Sequence, residues 1–177
     1  MKCGSKTKER FAKEVAGELP SKITYWHPTR FKLPGMSVDD TLAAVHAIFR
    51  VAQLYVPVKF DRIDVQKKAL IKISIGPKEE FDKEGNILAM ADVISLRDPA
   101  SRDLWFSPFV NWGEGPVSDQ VINPIPVGAH ELGHTLGFGH NKEHGLMYPT
   151  IQPLVTTPTE QEMGEFWKAY PEWTPKG

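Results

Sequence analysis

Residues 130–140 read His-Glu-Leu-Gly-His-Thr-Leu-Gly-Phe-Gly-His. On a helix, His130 and His134 lie one turn apart on the same face, so both imidazoles can reach a single ion. Glu131 shares that turn and can lean over a water held there, as a general base would. Gly137 is where the helix can stop, because glycine accepts the left-handed backbone of a helix C-terminus without steric cost. The chain then turns and brings His140 in as a third nitrogen ligand. Three protein ligands leave one position of a tetrahedral zinc open, which is how a catalytic zinc differs from a closed structural one. The short His-Glu-x-x-His pattern also arises on ordinary amphipathic helices. The glycine, the third histidine and the Leu146-Met147 that follows raise the pattern to that of a zinc site.

These residues need a frame to hold them. The metal helix is expected to begin near Pro126, since proline suits a first helical turn. Ile23–Trp26 is a strand candidate by its β-branched and aromatic content. Ser37 caps a long first helix with Asp40 in the capping-box position, and Leu42, Val45, Phe49 and Ala52 give that helix an apolar stripe. Val56–Phe60, Ala69–Ile75 and Ile87–Ile94 read as further strands, with a polar loop over residues 76–86. Residues 95–123 read as one long irregular stretch with short aromatic pieces. Thr159–Tyr170 is a last helix with Met163, Phe166, Trp167 and Tyr170 on its buried side. The order of strand, helix, strands and then two helices implies an α/β layered domain. Residues 1–20, polar and Lys-rich, are expected to form an arm or one short helix, a prosegment-like extension, and 21–177 the folded domain.

Length and composition fit one soluble domain: 177 residues, 41% hydrophobic and 24% charged. A net charge of −1 gives no electrostatic case for nucleic acid or an anionic membrane. No stretch is apolar enough to span a bilayer, and the basic N-terminus lacks the apolar run of a secretory leader. The single cysteine, Cys3, excludes an internal disulfide. A monomer is expected.

Val127-Gly128-Ala129, the ligand motif and then Leu146-Met147-Tyr148-Pro149 resemble the metzincin clan, and within it the matrixin catalytic domain. Ile23-Thr24-Tyr25, Val56–Phe60, Leu88-Ala89-Met90-Ala91, Trp112 and residues 159–170 extend the likeness over roughly residues 21–170. The resemblance implies an α/β zincin-like fold in which a twisted mixed sheet lies over the metal helix. It implies that His130, His134 and His140 bind zinc, that Glu131 is the general base, and that Met147 forms the apolar floor beneath the metal. Leu88, Ala89 and Met90 would hydrogen-bond an extended substrate, and Tyr148, Pro149 and Thr150 would begin the wall of a substrate pocket. Asn141 stands where the family has serine, and the run from His140 to Met147 is one residue shorter.

The family also carries a structural zinc and calcium sites. The positions that match the structural zinc ligands are Ile75, Pro77, Met90 and Trp105, and Ser107 and Val110 match calcium carboxylates. None offers a fitting ligand group, so one catalytic zinc is expected, with packing by Met90, Trp105 and Phe106 in place of the second; calcium is left open. Lys2-Cys3-Gly4 lies at a distance from the first strand similar to the family's cysteine switch. It lacks that motif's proline and aspartate, so a free terminal cysteine is the simpler reading. His144 is expected at the surface, and His27 and His46 to be structural or solvated.

The chemistry expected is zinc-dependent hydrolysis of peptide bonds in a protein or peptide substrate. Two alternatives stay open: a non-catalytic zinc-bearing binding module of the same fold, and an amidase acting on peptidoglycan cross-link peptides.

Overall fold

The structure, a computed structural model, describes residues 17–81, 86–114, 121–152 and 154–174. Most of the expected N-terminal arm, including Cys3, lies outside the described residues, so the switch reading does too. The elements are β1 (Lys22–Trp26), α1 (Val38–Ala52), β2 (Lys59–Arg62), β3 (Ile71–Ile75), β4 (Ala89–Ala91), β5 (Arg102–Phe106), α2 (Pro124–Thr135) and α3 (Glu160–Ala169), with three short 3-10 turns.

The strands form one mixed sheet in the order β2-β1-β3-β5-β4. β1 runs parallel to β2 and β3, and β3 parallel to β5, whereas β4 pairs antiparallel with β5 at one edge. Alternation sorts the sheet's faces: Ile23, Tyr25, Ile71, Ile73, Leu104 and Phe106 are buried, while Lys72, Asp103 and Trp105 between them are only half-buried. The helices cover the buried face.

α1 starts where Ser37 Oγ accepts from Asp40 N at 3.1 Å and donates to Asp40 Oδ2 at 2.6 Å. Its buried side is Ala44, Val45, Ile48, Phe49 and Ala52, with Leu42 only half-buried at the margin. Burying a Val, Ile or Phe contributes roughly 1.5–3 kcal/mol each, enough to fix which face turns inward. Phe49 stacks on Tyr25 of β1 with ring centroids 3.9 Å apart. α1 also packs against α2, which in turn lies on β4 and β5. α2, which carries His130 and His134, is thereby held between a helix and a sheet edge.

Five boundaries differ from the sequence reading by two residues or more, the simplest being that Ala69–Ile75 forms a strand only over Ile71–Ile75. The strand expected over Val56–Phe60 is shifted to Lys59–Arg62, because Val56 N still bonds Ala52 O at the end of α1 and Pro57 has no N–H to give a ladder. Ile87–Ile94 contributes only Ala89–Ala91. The irregular stretch 95–123 contains β5, which pairs β3 on one side and β4 on the other. α2 begins two residues before Pro126, at Pro124, where Asn123 Oδ1 accepts from Ile125 N at 2.9 Å as its cap.

β5 also carries an unusual inward residue. Arg102 is fully buried, and its Nη2 donates to the carbonyls of Ser95 (3.0 Å) and Asp98 (3.1 Å), so that loop 95–98 wraps a guanidinium. Among the described residues no helix is long and apolar enough to cross a membrane.

Candidate metal centre

α2 presents His130 and His134 on one face, buried at 1% and 0% exposure. The helix ends at Thr135, and Gly137, with φ +96°, reverses the chain as expected of it. His140 then returns, half-buried, so the cluster opens to the surface on its side. One nitrogen from each of the three rings lies within 4.8 Å of the others. Among the described residues this is the one group of three or more His, Cys, Asp or Glu side chains arranged to hold a metal ion.

The outer ring nitrogens decide what the inner ones can do. His130 Nδ1 faces the carbonyl of Leu146, and His134 Nδ1 faces that of Phe138 at 2.7 Å. A carbonyl only accepts, so both Nδ1 atoms carry the hydrogen and both Nε2 atoms keep a lone pair. Those Nε2 atoms lie 3.4 Å and 3.3 Å from His140 Nε2. Burial pushes the His130 pKa down to about 3, more than its bond to Leu146 raises it. Burial, then the neighbouring His130, holds His134 well below its ordinary value, and burial lowers His140. The cluster is neutral at pH 7, with lone pairs converging where no proton can bridge them all.

That donor set fits zinc. Two nitrogens each about 2.05 Å from a tetrahedral zinc stand about 3.3 Å apart, which matches the two Nε2 separations. Neutral imidazoles whose far nitrogens are fixed by carbonyls are the usual second layer of such a site.

Glu131 is wholly buried on α2 between the two histidines. Met147 is 1% exposed and lies under the helix: a Cβ on Gly133, in the turn between His130 and His134, would be 2.5 Å from Met147 Sδ. Only glycine lets the thioether approach this closely. Tyr148 and Pro149 are half-buried and Thr150 exposed, directly after Met147. Leu88, Ala89 and Met90 are buried along the β4 edge beside α2, with Leu88 O accepting from Ser107 N at 2.8 Å.

Other histidines stand apart from the cluster. His144 is exposed and lies over the Tyr148 ring at 4.7 Å. Buried His27 sits between Pro28 O (3.0 Å) and Arg62 Nε (3.1 Å), and His46 is exposed on α1. At the positions that match the family's structural zinc ligands, Met90 and Trp105 face each other as cross-strand partners, Ile75 is half-buried and Pro77 exposed.

Sequence reasoning missed Glu162. It is 3% exposed, at the third position of α3, where it completes a capping box with Thr159. The same carboxylate accepts from Thr159 N (2.7 Å), Leu146 N (3.2 Å), Met147 N (2.8 Å) and Asn141 Nδ2. Thr159-x-x-Glu162 is visible in the sequence, but only as a helix start.

Comparison with known proteins agrees with this geometry. The matrixin family pattern matches residues 20–163. Matrix metalloproteinase-18 of Xenopus laevis is 30% identical over 122 residues, 66% of this chain and 25% of that relative. Stromelysin-1 of Mus musculus is 32% identical over 125 residues, 68% of this chain and 24% of that relative. Matrilysin of Rattus norvegicus is 30% identical over 125 residues, 68% of this chain and 44% of that relative. The chain thus spans less than half the length of these relatives. With its mixed five-stranded sheet and its triad of histidines able to hold a metal, the chain belongs to the matrixin family.

Proposed function

We propose that this chain is a zinc-dependent endopeptidase domain, spanning residues 21–177, that cleaves peptide bonds in protein or peptide substrates. The observation that carries the reading is the pair of Nε2 separations, 3.3 Å and 3.4 Å, between neutral imidazoles whose outer nitrogens are already committed to carbonyls. His130, His134 and His140 would hold the ion through Nε2. Once bound, zinc supplies Lewis acidity, polarising a carbonyl and bringing the pKa of water from about 15.7 toward neutrality.

The rest is the work of the protein's own groups. Glu131 takes a proton on its carboxylate from the attacking water and passes it to the departing amine. Its burial in α2 removes competing solvent and fixes it one residue from a ligand. Met147 closes the site from below and keeps water from the inner face of the helix. Leu88, Ala89 and Met90, on the edge side of the sheet, offer main-chain groups to an extended substrate by strand addition. Tyr148, Pro149 and Thr150 begin the pocket wall that follows. The Met90–Trp105 cross-strand pair, and the lack of a ligand group at Ile75 and Pro77, support one zinc per chain. Metal analysis returning two tightly held zinc ions would contradict that count.

The deciding experiment is mass spectrometry of a broad peptide library after incubation with the zinc-loaded protein, with and without chelator. Chelator-sensitive cleavage at internal bonds is expected. Zinc uptake without any cleavage would favour a binding module, and cleavage restricted to cell-wall cross-link peptides would favour the amidase.

A further inference from the structure

α3 gives no ligand to the histidine cluster, yet two of its side chains and that of Tyr170, the residue that ends it, reach the cluster indirectly. Glu162, Phe166 and Tyr170 recur at four-residue steps and are all buried, at 3%, 0% and 2% exposure. That spacing keeps them in one stripe along the helix. Each touches a different backbone segment of the metal centre.

Glu162 binds Leu146 N, Met147 N and the side chain of Asn141, the residue after His140. The carbonyl of Leu146 is the acceptor that orients His130. Phe166 stacks on Phe138 with centroids 5.0 Å apart and 4° between the rings, and the carbonyl of Phe138 orients His134. Tyr170 Oη accepts from Leu96 N at 3.0 Å and donates to Leu136 O at 3.2 Å, in the turn from which the chain runs on to His140. A Cβ on Gly137 would lie 2.5 Å from that hydroxyl, so Tyr170 occupies the space beside the reversal.

We infer that this stripe sets the affinity of the metal centre, with Glu162, Phe166 and Tyr170 as positioning residues that fix the segments presenting His130, His134 and His140. The inference rests on the reading of the triad as a zinc site. A ligand's Nε2 points where its Nδ1–H bond sends it, so a carbonyl displaced by a few tenths of an ångström turns the ring away from the shared focus. Losing such an outer partner weakens metal binding by about 10–100-fold.

The test compares wild type, Tyr170→Phe and Phe166→Leu, with Ile73→Val in the sheet as a control for plain loss of core packing. Three quantities are read: zinc affinity by competition with a fluorescent chelator, the visible spectrum of the cobalt-substituted protein, and the thermal midpoint of the metal-free protein. Tyr170→Phe keeps its ring and loses only the hydroxyl. Both stripe variants are expected to bind zinc about tenfold or more weakly, with an altered cobalt spectrum. Ile73→Val should lower the thermal midpoint and leave zinc affinity at the wild-type value. Stripe variants that bind zinc as tightly as wild type overturn the inference, as does an Ile73→Val affinity loss equal to theirs. If Phe166→Leu does not fold, Tyr170→Phe decides alone. A wild-type chain that takes up no zinc overturns the site reading and this inference with it; tight wild-type binding with unchanged stripe variants overturns this inference alone.

Discussion

Replacing Glu162 by glutamine tests how one carboxylate supports the turn beneath the metal. The two side chains are nearly the same size, so packing is kept and only hydrogen bonding changes. Oε1 receives Met147 N and Asn141 Nδ2, and Oε2 receives Leu146 N and Thr159 N. Glutamine can satisfy two of those four donors through its one oxygen. Its NH2 group is turned toward the other two, donor against donor. Bonds to a charged acceptor are worth about 1.5–3 kcal/mol each, and a buried donor left unpaired costs about 1–3 kcal/mol. Thr159 N is only part-buried and recovers some of its loss from water. A net destabilisation of about 2–4 kcal/mol follows, which in a domain of this size lowers Tm by roughly 5–15 °C. The assay is urea and thermal unfolding of the metal-free protein, followed by far-UV circular dichroism. Metal-free protein is used so that weakened zinc binding does not enter the result. A loss below about 1 kcal/mol would mean that the four bonds are not what holds residues 141–147 to α3.

Glu131→Gln should lower turnover about 10²–10⁴-fold while one zinc is still taken up, measured by peptide cleavage beside metal analysis; near-normal turnover would remove Glu131 from the proton transfer. Gly137→Ala forces a side chain into φ +96° and against Tyr170 Oη, so stability should fall by about 2 kcal/mol or more, read as a shift of the urea midpoint. The metal-free protein should lose stability as pH falls. The folded pKa values of His130 (about 3), His134 and His140 lie below the ordinary 6.5, as does that of buried His27, so the unfolded chain binds more protons throughout that interval. Stability is therefore full above about pH 6.5 and declines toward pH 3, and saturating zinc should delay the decline. A flat urea midpoint between pH 7 and pH 4.5 in the metal-free protein would contradict this.

The histidine triad was the most legible part of the chain, because its three residues and Glu131 lie within eleven residues, two of the histidines at the pitch of one helix and the third just past its glycine stop. Gly137 declared the reversal and Thr159 the start of α3 for the same local reasons. β5 was hidden by its own interior residue. An arginine pointing inward breaks the apolar alternation of Arg102-Asp103-Leu104-Trp105-Phe106, and only its bonds to Ser95 and Asp98 explain why it is tolerated. β2 was misplaced because Val56 and Pro57 are apolar as a strand would be, though they finish the exit from α1. Glu162 could not be assigned from spacing at all, since three of its partners lie 15 to 21 residues away along the chain.

Arg102 also bears on how the domain meets its surroundings. The positive charge at the centre of loop 95–98 is covalently attached, so it neither exchanges with the medium nor can be drawn off by a sequestering agent. Stripping loosely held ions should leave this loop in place, and with it the Leu96–Tyr170–Leu136 bridge to the end of the histidine-bearing helix. Resilience of that corner is then written in the gene and not in the composition of the fluid around it.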